Sequence, residues 1–378
     1  MIINRLAKKL LADKLQPGKV ILLYGPRRVG KTTLLNEFIQ NHEAREHIKI
    51  VNGETTVVQA TLSVQNIESL RRFVGDSKVI IIDEAQKIPQ IGQSLKIIVD
   101  NFPDVSVIAS GSASFSLARQ VGEPLTGRQK IVNLFPISAA EIIETKGLEY
   151  FQESLEDLLV FGCYPELFSI NDRTRQEEYL HELVNSYLFK DILELENIRN
   201  AKKIRDLLTL LAYQIGKEVS MSEIGTSLGM NKQTVAKYLD LLEKAFVIVN
   251  VRGFSRNLRK EVTKMSRYYF YDTGVRNALI NNFNPLSVRD DVGLLWENYL
   301  VMERIKKQSY SGLYANNYFW RTYDQKEIDW VEERDGKLFG YEFKWGNKSG
   351  RPPSDWTTAY PGASFETITR GNMIDFIV

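Results

Sequence analysis

The chain has 378 residues, 43% of them hydrophobic and 25% charged, the balance of a soluble globular protein with a real core and, at this length, roughly two to four domains. Three histidines and a single cysteine, Cys163, exclude an intrachain disulfide, make a His/Cys zinc site improbable and point to a cytoplasmic protein. No apolar run approaches the ~20 residues that span a bilayer, and the opening MIINRLAKKLL has no long apolar signal core, so no membrane role is expected.

Residues 3–15 place Leu6, Leu10 and Leu11 at helical spacing and predict a short amphipathic helix. Val20–Leu23 is an apolar, strand-type run. Gly25 to Thr32 then reads G-x-x-x-x-G-K-T, and Leu34, Leu35 and Phe38 continue with helical spacing. Strand, loop and helix in that order are what a phosphate-binding loop requires. Gly25 and Gly30 let the backbone curl so that successive N–H groups face the phosphates, and the helix amino end adds its positive dipole. Lys31 is expected to reach the β- and γ-phosphates and the Thr32 hydroxyl to hold Mg²⁺. The expected nucleotide-binding set is Gly25, Pro26, Arg27, Arg28, Val29, Gly30, Lys31, Thr32 and Thr33, with ATP and Mg²⁺ as cofactors.

Ile48–Val51 reads as a second strand. Val79–Ile82 is four consecutive β-branched residues ending in Asp83-Glu84. A wholly apolar strand that ends in acids suits a buried parallel sheet with its site at the strands' carboxyl ends. Asp83 is expected to serve the Mg²⁺ shell and Glu84 to orient or activate the attacking water; a strand running into a solvated acidic turn is the alternative. A third apolar run, Val105–Ala109, ends in Ser110-Gly111-Ser112. Ser110 is a candidate sensor of the γ-phosphate, against a simple turn of small residues. Arg128, in Leu125-Thr126-Gly127-Arg128 after a helix-like stretch, is a candidate for stabilising transition-state charge, within the chain or on a neighbour. A lone surface arginine is the plainer explanation.

Residues 155–200 are mostly helical in pattern, interrupted at Gly162-Cys163-Tyr164-Pro165. Residues 177–198 predict one long amphipathic helix. Three helical patterns follow, Ile204–Tyr213, Met221–Leu228 and Lys232–Ala245, the last two joined by Gly229-Met230-Asn231 with Asn231 as cap. That is helix-turn-helix spacing. Val235, Leu239 and Leu242 should face inward, leaving Lys232, Gln233, Thr234 and Lys237 outward. Strand patterns at Val247–Val251 and Arg267–Tyr271, around a basic loop, complete a winged helix. Between Asn200 and Tyr268 thirteen Lys/Arg meet six Asp/Glu, a balance of +7 in a chain of net +2, so the remainder carries 2 − 7 = −5. Positive charge concentrated in this way is the footprint of nucleic-acid binding.

In the tail, strand patterns Glu327–Glu333 and Leu338–Trp345 flank Arg334-Asp335-Gly336-Lys337, and Asp-Gly is a strong hairpin cue. With Asp335 and Gly336 as the loop, Asp329 lies opposite Glu342, and Lys344 shares their face. Ile328, Trp330, Tyr341, Phe343 and Trp345 share the other. Opposed carboxylates repel unless a positive charge lies between them, which a divalent metal held by Asp329 and Glu342 would supply, with Lys344 stabilising developing charge. Glu297, on a preceding helical pattern, is placed to complete the site. The alternative is a solvated hairpin face.

Taken together, GPRRVGKTTLL, DEAQ after a buried strand, SGS, LTGR, GCYPE, a winged helix, YFYDTG, WEN, EIDW and EFK resemble a widespread prokaryotic group of ATPases. Its members join an AAA-like P-loop core to a winged helix and a restriction-endonuclease-like (PD-(D/E)xK-type) tail. The resemblance implies that Gly25, Gly30, Lys31 and Thr32 bind nucleotide and Mg²⁺, and that Asp83 and Glu84 form the Walker B pair. It also raises Arg128 as a candidate finger-type arginine, and implies that Glu297, Asp329, Glu342 and Lys344 occupy nuclease positions. The expected fold is α/β: a P-loop core over 1–150, a helical connector over 151–200, a winged helix over 201–272 and a small α/β nuclease-like domain over 273–378. The expected function is Mg²⁺-dependent ATP hydrolysis coupled to DNA binding, with metal-dependent DNA cleavage in the tail and a homo-oligomer as one arrangement. A nucleotide-gated switch with little turnover is the rival.

Overall fold

The computed structural model describes residues 3–43, 45–112, 124–188, 201–255, 266–322 and 324–378. They gather into two compact units, one holding residues 5–135 with 244–246, the other 3–4, 136–243 and 247–378.

The first unit runs α1 (Leu6–Lys14), β1 (Val20–Tyr24), α2 (Lys31–Gln40), β2 (Ile48–Asn52), α3 (Thr56–Ser63), α4 (Ile67–Val74), β3 (Val79–Asp83), α5 (Ile91–Asn101), β4 (Ser106–Gly111) and β5 (Gln129–Asn133). Its strands form one parallel sheet in the order β2-β3-β4-β1-β5. Every residue of β1, β3 and β4 is buried, as central strands covered by helices require, which is why they read as unbroken apolar runs. The edge strands β2 and β5 are partly exposed. The register pairs Tyr24 with Gly111 and Ile82 with Ala109, so the carboxyl ends of β1, β3 and β4 share one edge. This is the α/β fold of a P-loop ATPase core.

The second unit begins with α6 (Ala139–Lys146), α7 (Leu148–Phe161) and α8 (Arg173–Glu182), which passes into a π-helical turn at Leu183–Leu188. The long helix expected over 177–198 therefore changes its winding at Leu183, and its last part, 189–198, lies outside the described residues. Next come α9 (Ala201–Tyr213), β6 (Glu218–Val219), α10 (Met221–Leu228), α11 (Lys232–Lys244), β7 (Ile248–Gly253), β8 (Ser266–Phe270) and α12 (Thr273–Leu279). The Asn231 side chain accepts from Thr234 N at 2.7 Å and caps α11. Val235, Leu239 and Leu242 are buried, while Lys232, Gln233 and Lys237 are exposed. Much of the basic loop between β7 and β8, residues 256–265, lies outside the described residues.

The chain closes with α13 (Val292–Ser311), β9 (Asn316–Arg321), β10 (Glu327–Arg334), β11 (Lys337–Phe343), α14 (Ser354–Ala359), β12 (Ser364–Ile368) and α15 (Met373–Ile377). A seven-stranded sheet in the order β12-β11-β10-β9-β7-β8-β6 runs through the unit. The boundaries drawn from sequence at 200 and 272 fall inside this unit, because β7 pairs parallel with β9, Arg252 opposite Tyr318. GCYPE and YFYDTG lock together: the Asp272 carboxylate accepts from Val275 N at the start of α12 and from Cys163 N at 2.7 Å. A Cβ at Gly162 would collide with that carboxylate, and one at Gly274 with the Phe161 carbonyl. These motifs are joints of the fold.

Candidate functional site

Two clusters of chemistry-bearing residues form, one in each unit. In the first, the loop after β1 carries Arg28 at φ 58° and Gly30 at φ 94°, the latter as the cap of α2. A non-glycine residue held left-handed is a strained conformation that structures keep at ligand-binding loops. Gly25 is required by close approach, since a Cβ there would meet the Leu134 carbonyl. Lys31 is buried, and its ammonium donates to the Gly25 and Pro26 carbonyls at 2.9 and 3.0 Å. The ammonium is thus folded back across its own loop, with backbone carbonyls as its partners. Pro26 and Val29 are buried, Arg27 and Arg28 half-buried, Thr33 exposed.

The Thr32 hydroxyl donates to Asp83 Oδ2 at 2.7 Å, joining the helix start to the end of β3. Ser110, wholly buried at the end of β4, donates to Asp83 Oδ1 and accepts from Glu84 N. Its hydroxyl is therefore engaged with the Asp83 carboxylate, at the strand end where a phosphate sensor is expected from the sequence. Glu84 sits left-handed at φ 51°, and its Oε2 accepts from Gln86 Nε2 at 2.5 Å. These donors fit a nucleotide with Mg²⁺: a buried amine inside a curled backbone, and a hydroxyl and a carboxylate side by side.

Arg128 stands elsewhere. Gln129 pairs with Val20 at the start of β1, and Val20 N donates to the Arg128 carbonyl. The arginine therefore lies at the edge of the sheet opposite the loop, about 15 Å away at ~3.3 Å per strand residue. There it ion-pairs with Asp100. The parallel register thus sets Arg128 apart from the chain's own loop; the helix-like stretch before it, 113–123, lies outside the described residues. Sequence reasoning missed Arg5, whose guanidinium donates to the Val29 carbonyl at 2.9 Å and to the Phe135 carbonyl at 2.5 Å. It clamps the loop from outside the motif, and a lone arginine before a helix gives no signal of that.

In the second unit the hairpin has the expected register, with Trp330 opposite Tyr341. A bulge between Ile328 and Val331 against β9 breaks strict alternation. Ile328 therefore joins Val331, Leu338, Trp320 and Trp356 rather than the face of Trp330, Tyr341 and Phe343. Glu297, Asp329, Glu342 and Lys344 come together. Asp329 Oδ2 accepts from Phe343 N at 2.8 Å, Glu297 Oε1 accepts from the Tyr269 hydroxyl at 2.7 Å, and Lys344 pairs with Glu342 at 2.6 Å. The charge between the carboxylates is Arg267, from β8. Its guanidinium is 3.5 Å from Glu297, 3.7 Å from Asp329 and 2.6 Å from Glu327, and it stacks on Phe319.

Burial first, then the Glu327 and Glu342 carboxylates, push Glu297 up to about 7, against Arg267 and Tyr269. Burial with Glu297 and Glu342 raises Asp329 as well. Burial opposes the charge on Lys344, yet the Glu342 carboxylate keeps its ammonium above the usual value. Among the described residues no three His, Cys, Asp or Glu side chains gather as a group that could hold a metal ion. The donor set as folded therefore does not fit the metal expected from Asp329 and Glu342: the guanidinium already fills that role. Arg267 and Tyr269 were overlooked because their partners lie tens of residues away on other elements.

Loop, acids and strand order place the first unit in the class of P-loop ATPase cores. Residues 17–143 match an AAA domain, residues 152–286 a domain of unknown function (DUF8612) and residues 292–360 another (DUF4143). The chain is similar to the uncharacterized protein Rv2008c of Mycobacterium tuberculosis, 28% identical over 349 residues, covering 91% of this chain and 74% of the relative. It is also similar to the uncharacterized protein MJ1544 of Methanocaldococcus jannaschii, 24% identical over 336 residues, covering 84% and 73%. Among solved structures, Cdc6p from Pyrobaculum aerophilum aligns at 15% identity and a TM-score of 0.28, over 73% of this chain and 92% of that one. The Pif1 helicase from Candida albicans aligns at 14% and 0.29, over 49% and 48%. No helix among the described residues is long and apolar enough to cross a membrane.

Proposed function

We propose that the protein binds ATP with Mg²⁺ at the loop of the first unit, hydrolyses it, and uses nucleotide state to govern DNA contact by the second. The observation that carries this reading is the Thr32–Asp83 hydrogen bond at 2.7 Å beside the buried Lys31. Lys31 would leave the Gly25 and Pro26 carbonyls to hold the β- and γ-phosphates, and Thr32 and Asp83 would hold the metal. Bound Mg²⁺ supplies neutralisation of the charge that develops on the phosphoryl oxygens. Glu84, released from Gln86, would orient the attacking water, and Ser110 would keep Asp83 aimed. The helices α9, α10 and α11 with β6, β7 and β8 follow the order of a winged helix, and the exposed Lys232, Gln233 and Lys237 support DNA as its partner.

The test is steady-state ATPase measurement of the purified chain and of Lys31→Ala, with and without duplex DNA. Turnover that rises with DNA and vanishes in the variant is expected; equal rates in the two proteins would sink the reading. A second reading, a nucleotide-gated switch with slow turnover, is favoured by one feature. Within a single chain Glu84 is tied to Gln86 and Arg128 lies at the far edge of the sheet, so hydrolysis would await a neighbouring chain or partner that supplies an arginine. Metal-dependent DNA cleavage by the tail draws support from the gathering of Glu297, Asp329, Glu342 and Lys344, and is opposed by Arg267 among them.

A further inference from the structure

The acid cluster of the tail is built around a guanidinium. Arg267 is fixed by its backbone on both sides, paired with Val251 of β7 and with Glu218 of β6. Its side chain is 4% exposed and lies over the Phe319 ring, 4.5 Å from its centre. From that fixed place it reaches Glu297, Asp329 and Glu327 at once. The carboxylate oxygens that a metal would need are also engaged: Asp329 Oδ2 by Phe343 N, Glu297 Oε1 by the Tyr269 hydroxyl, Glu342 Oε1 by Lys344. A divalent ion entering here would meet a buried positive charge within about 4 Å of the oxygens it sought, and like charges at such range in a dry site repel strongly. To swing aside, the arginine side chain would have to give up its three carboxylate partners and its contact with Phe319.

We propose that Arg267 is the resident cation of this cluster, replacing the divalent metal that paired tail carboxylates would otherwise call for, so that the chain's divalent-metal requirement lies wholly in the phosphate loop. The tail acids then act as a clasp. They hold β8, the strand that follows the helix-turn-helix segment, to β10 and α13, and no metal-activated water arises there. The proposal rests on the tail reading only in taking Glu297, Asp329, Glu342 and Lys344 as one site.

The test is to count bound Mn²⁺ by electron paramagnetic resonance on the full chain after removal of nucleotide and metal. Wild type without nucleotide should bind none. With a non-hydrolysable ATP analogue it should bind one per chain, and Lys31→Ala should bind none; loss of that nucleotide-dependent ion alone would count against the phosphate-loop reading and leave the clasp standing. Arg267→Gln should gain one nucleotide-independent Mn²⁺, lost again in Arg267→Gln/Asp329→Asn, while Arg267→Lys should gain none. Nucleotide-free wild type that binds Mn²⁺, with the binding removed by Asp329→Asn, would overturn the proposal. So would an Arg267→Gln protein with native circular dichroism that binds no Mn²⁺. Should Arg267→Gln fail to fold, the comparison of wild type with Asp329→Asn decides by itself.

Discussion

Asp83 closes the apolar run of β3 and Asp329 sits near the start of β10, both buried, yet they are held in opposite ways. Asp83 receives two hydroxyls, from Thr32 and Ser110, and neither carries charge. Asp329 receives a backbone N–H and faces a guanidinium. Neutral donors orient a carboxylate and leave its charge to attract a cation. A buried guanidinium cancels that charge and turns the carboxylate into part of the frame. Spacing in a sequence shows that acids gather; it takes the identity of their neighbours to say whether they wait for a metal.

The sharpest way to break the comparison is to remove the charges that each site depends on. Lys31→Ala should lower kcat/KM for ATP by at least about a hundredfold, since a preorganised cation on the phosphates is lost, while the thermal midpoint stays near wild type. Nucleotide-stimulated activity within a factor of two of wild type would remove the first site from consideration. Asp83→Asn should lower turnover by about a hundredfold through weakened metal affinity, partly restored at high Mg²⁺. Asp329→Asn should leave basal turnover unchanged. If the two aspartate variants lose ATPase equally, the distinction drawn between them is wrong.

A smaller effect is expected at Ser110. Ser110→Ala removes one of the two hydroxyl donors to Asp83 and should raise the Mg²⁺ needed for half-maximal turnover several-fold, with kcat little altered. One neutral hydrogen bond is worth about 1 kcal/mol, or roughly fivefold. A fall in kcat at saturating Mg²⁺ with no change in the Mg²⁺ requirement would return Ser110 to a direct catalytic role.

Much of the first site is legible in the sequence because its chemistry is local. Gly25 to Thr32 is one uninterrupted turn, and a β-branched run before Asp83 declares a buried parallel strand whose end must lie beside the loop. What was not legible comes from elements far apart in the chain. Arg5 grips a loop some twenty residues on, and Ser110 spends its hydroxyl on a strand next to it in space. The place of Arg128 depends on the strand register, which sets it at the start of β5 rather than over the loop. In the tail, Asp-Gly fixed the hairpin register correctly, since Trp330 does pair with Tyr341. The bulge at β10 and the arrival of Arg267 were invisible, as the first is set by the pairing with β9 and the second by β8, three places along the sheet.

The tail should also carry a pH signature. Glu297 is raised in the folded chain to about 7, above the ordinary glutamate value near 4.3 in the unfolded chain. Between those values the folded state holds a proton that the unfolded state has released, so stability falls as pH rises through this window. Denaturant midpoints measured from pH 5 to pH 8 should decline with rising pH, and Glu297→Gln should flatten that limb. An identical slope in the variant would assign the decline to another group.

The smallest effect is expected at Arg128. Its pair with Asp100 is solvent-exposed, with 39% and 34% of the two side chains accessible, and such a pair contributes under about 1 kcal/mol. Because the guanidinium lies at the sheet edge away from the loop, Arg128→Ala should leave the turnover of dilute, monomeric protein within about twofold of wild type. Only a second chain could bring this arginine to a nucleotide. Specific activity of wild type should then rise with protein concentration, and that rise, not the dilute rate, should be missing in Arg128→Ala. A rate that is independent of concentration in both proteins would mark Arg128 as an ordinary surface residue. A large loss at high dilution would mean that Arg128 reaches its own loop, against its place in the parallel pairing of β1 and β5.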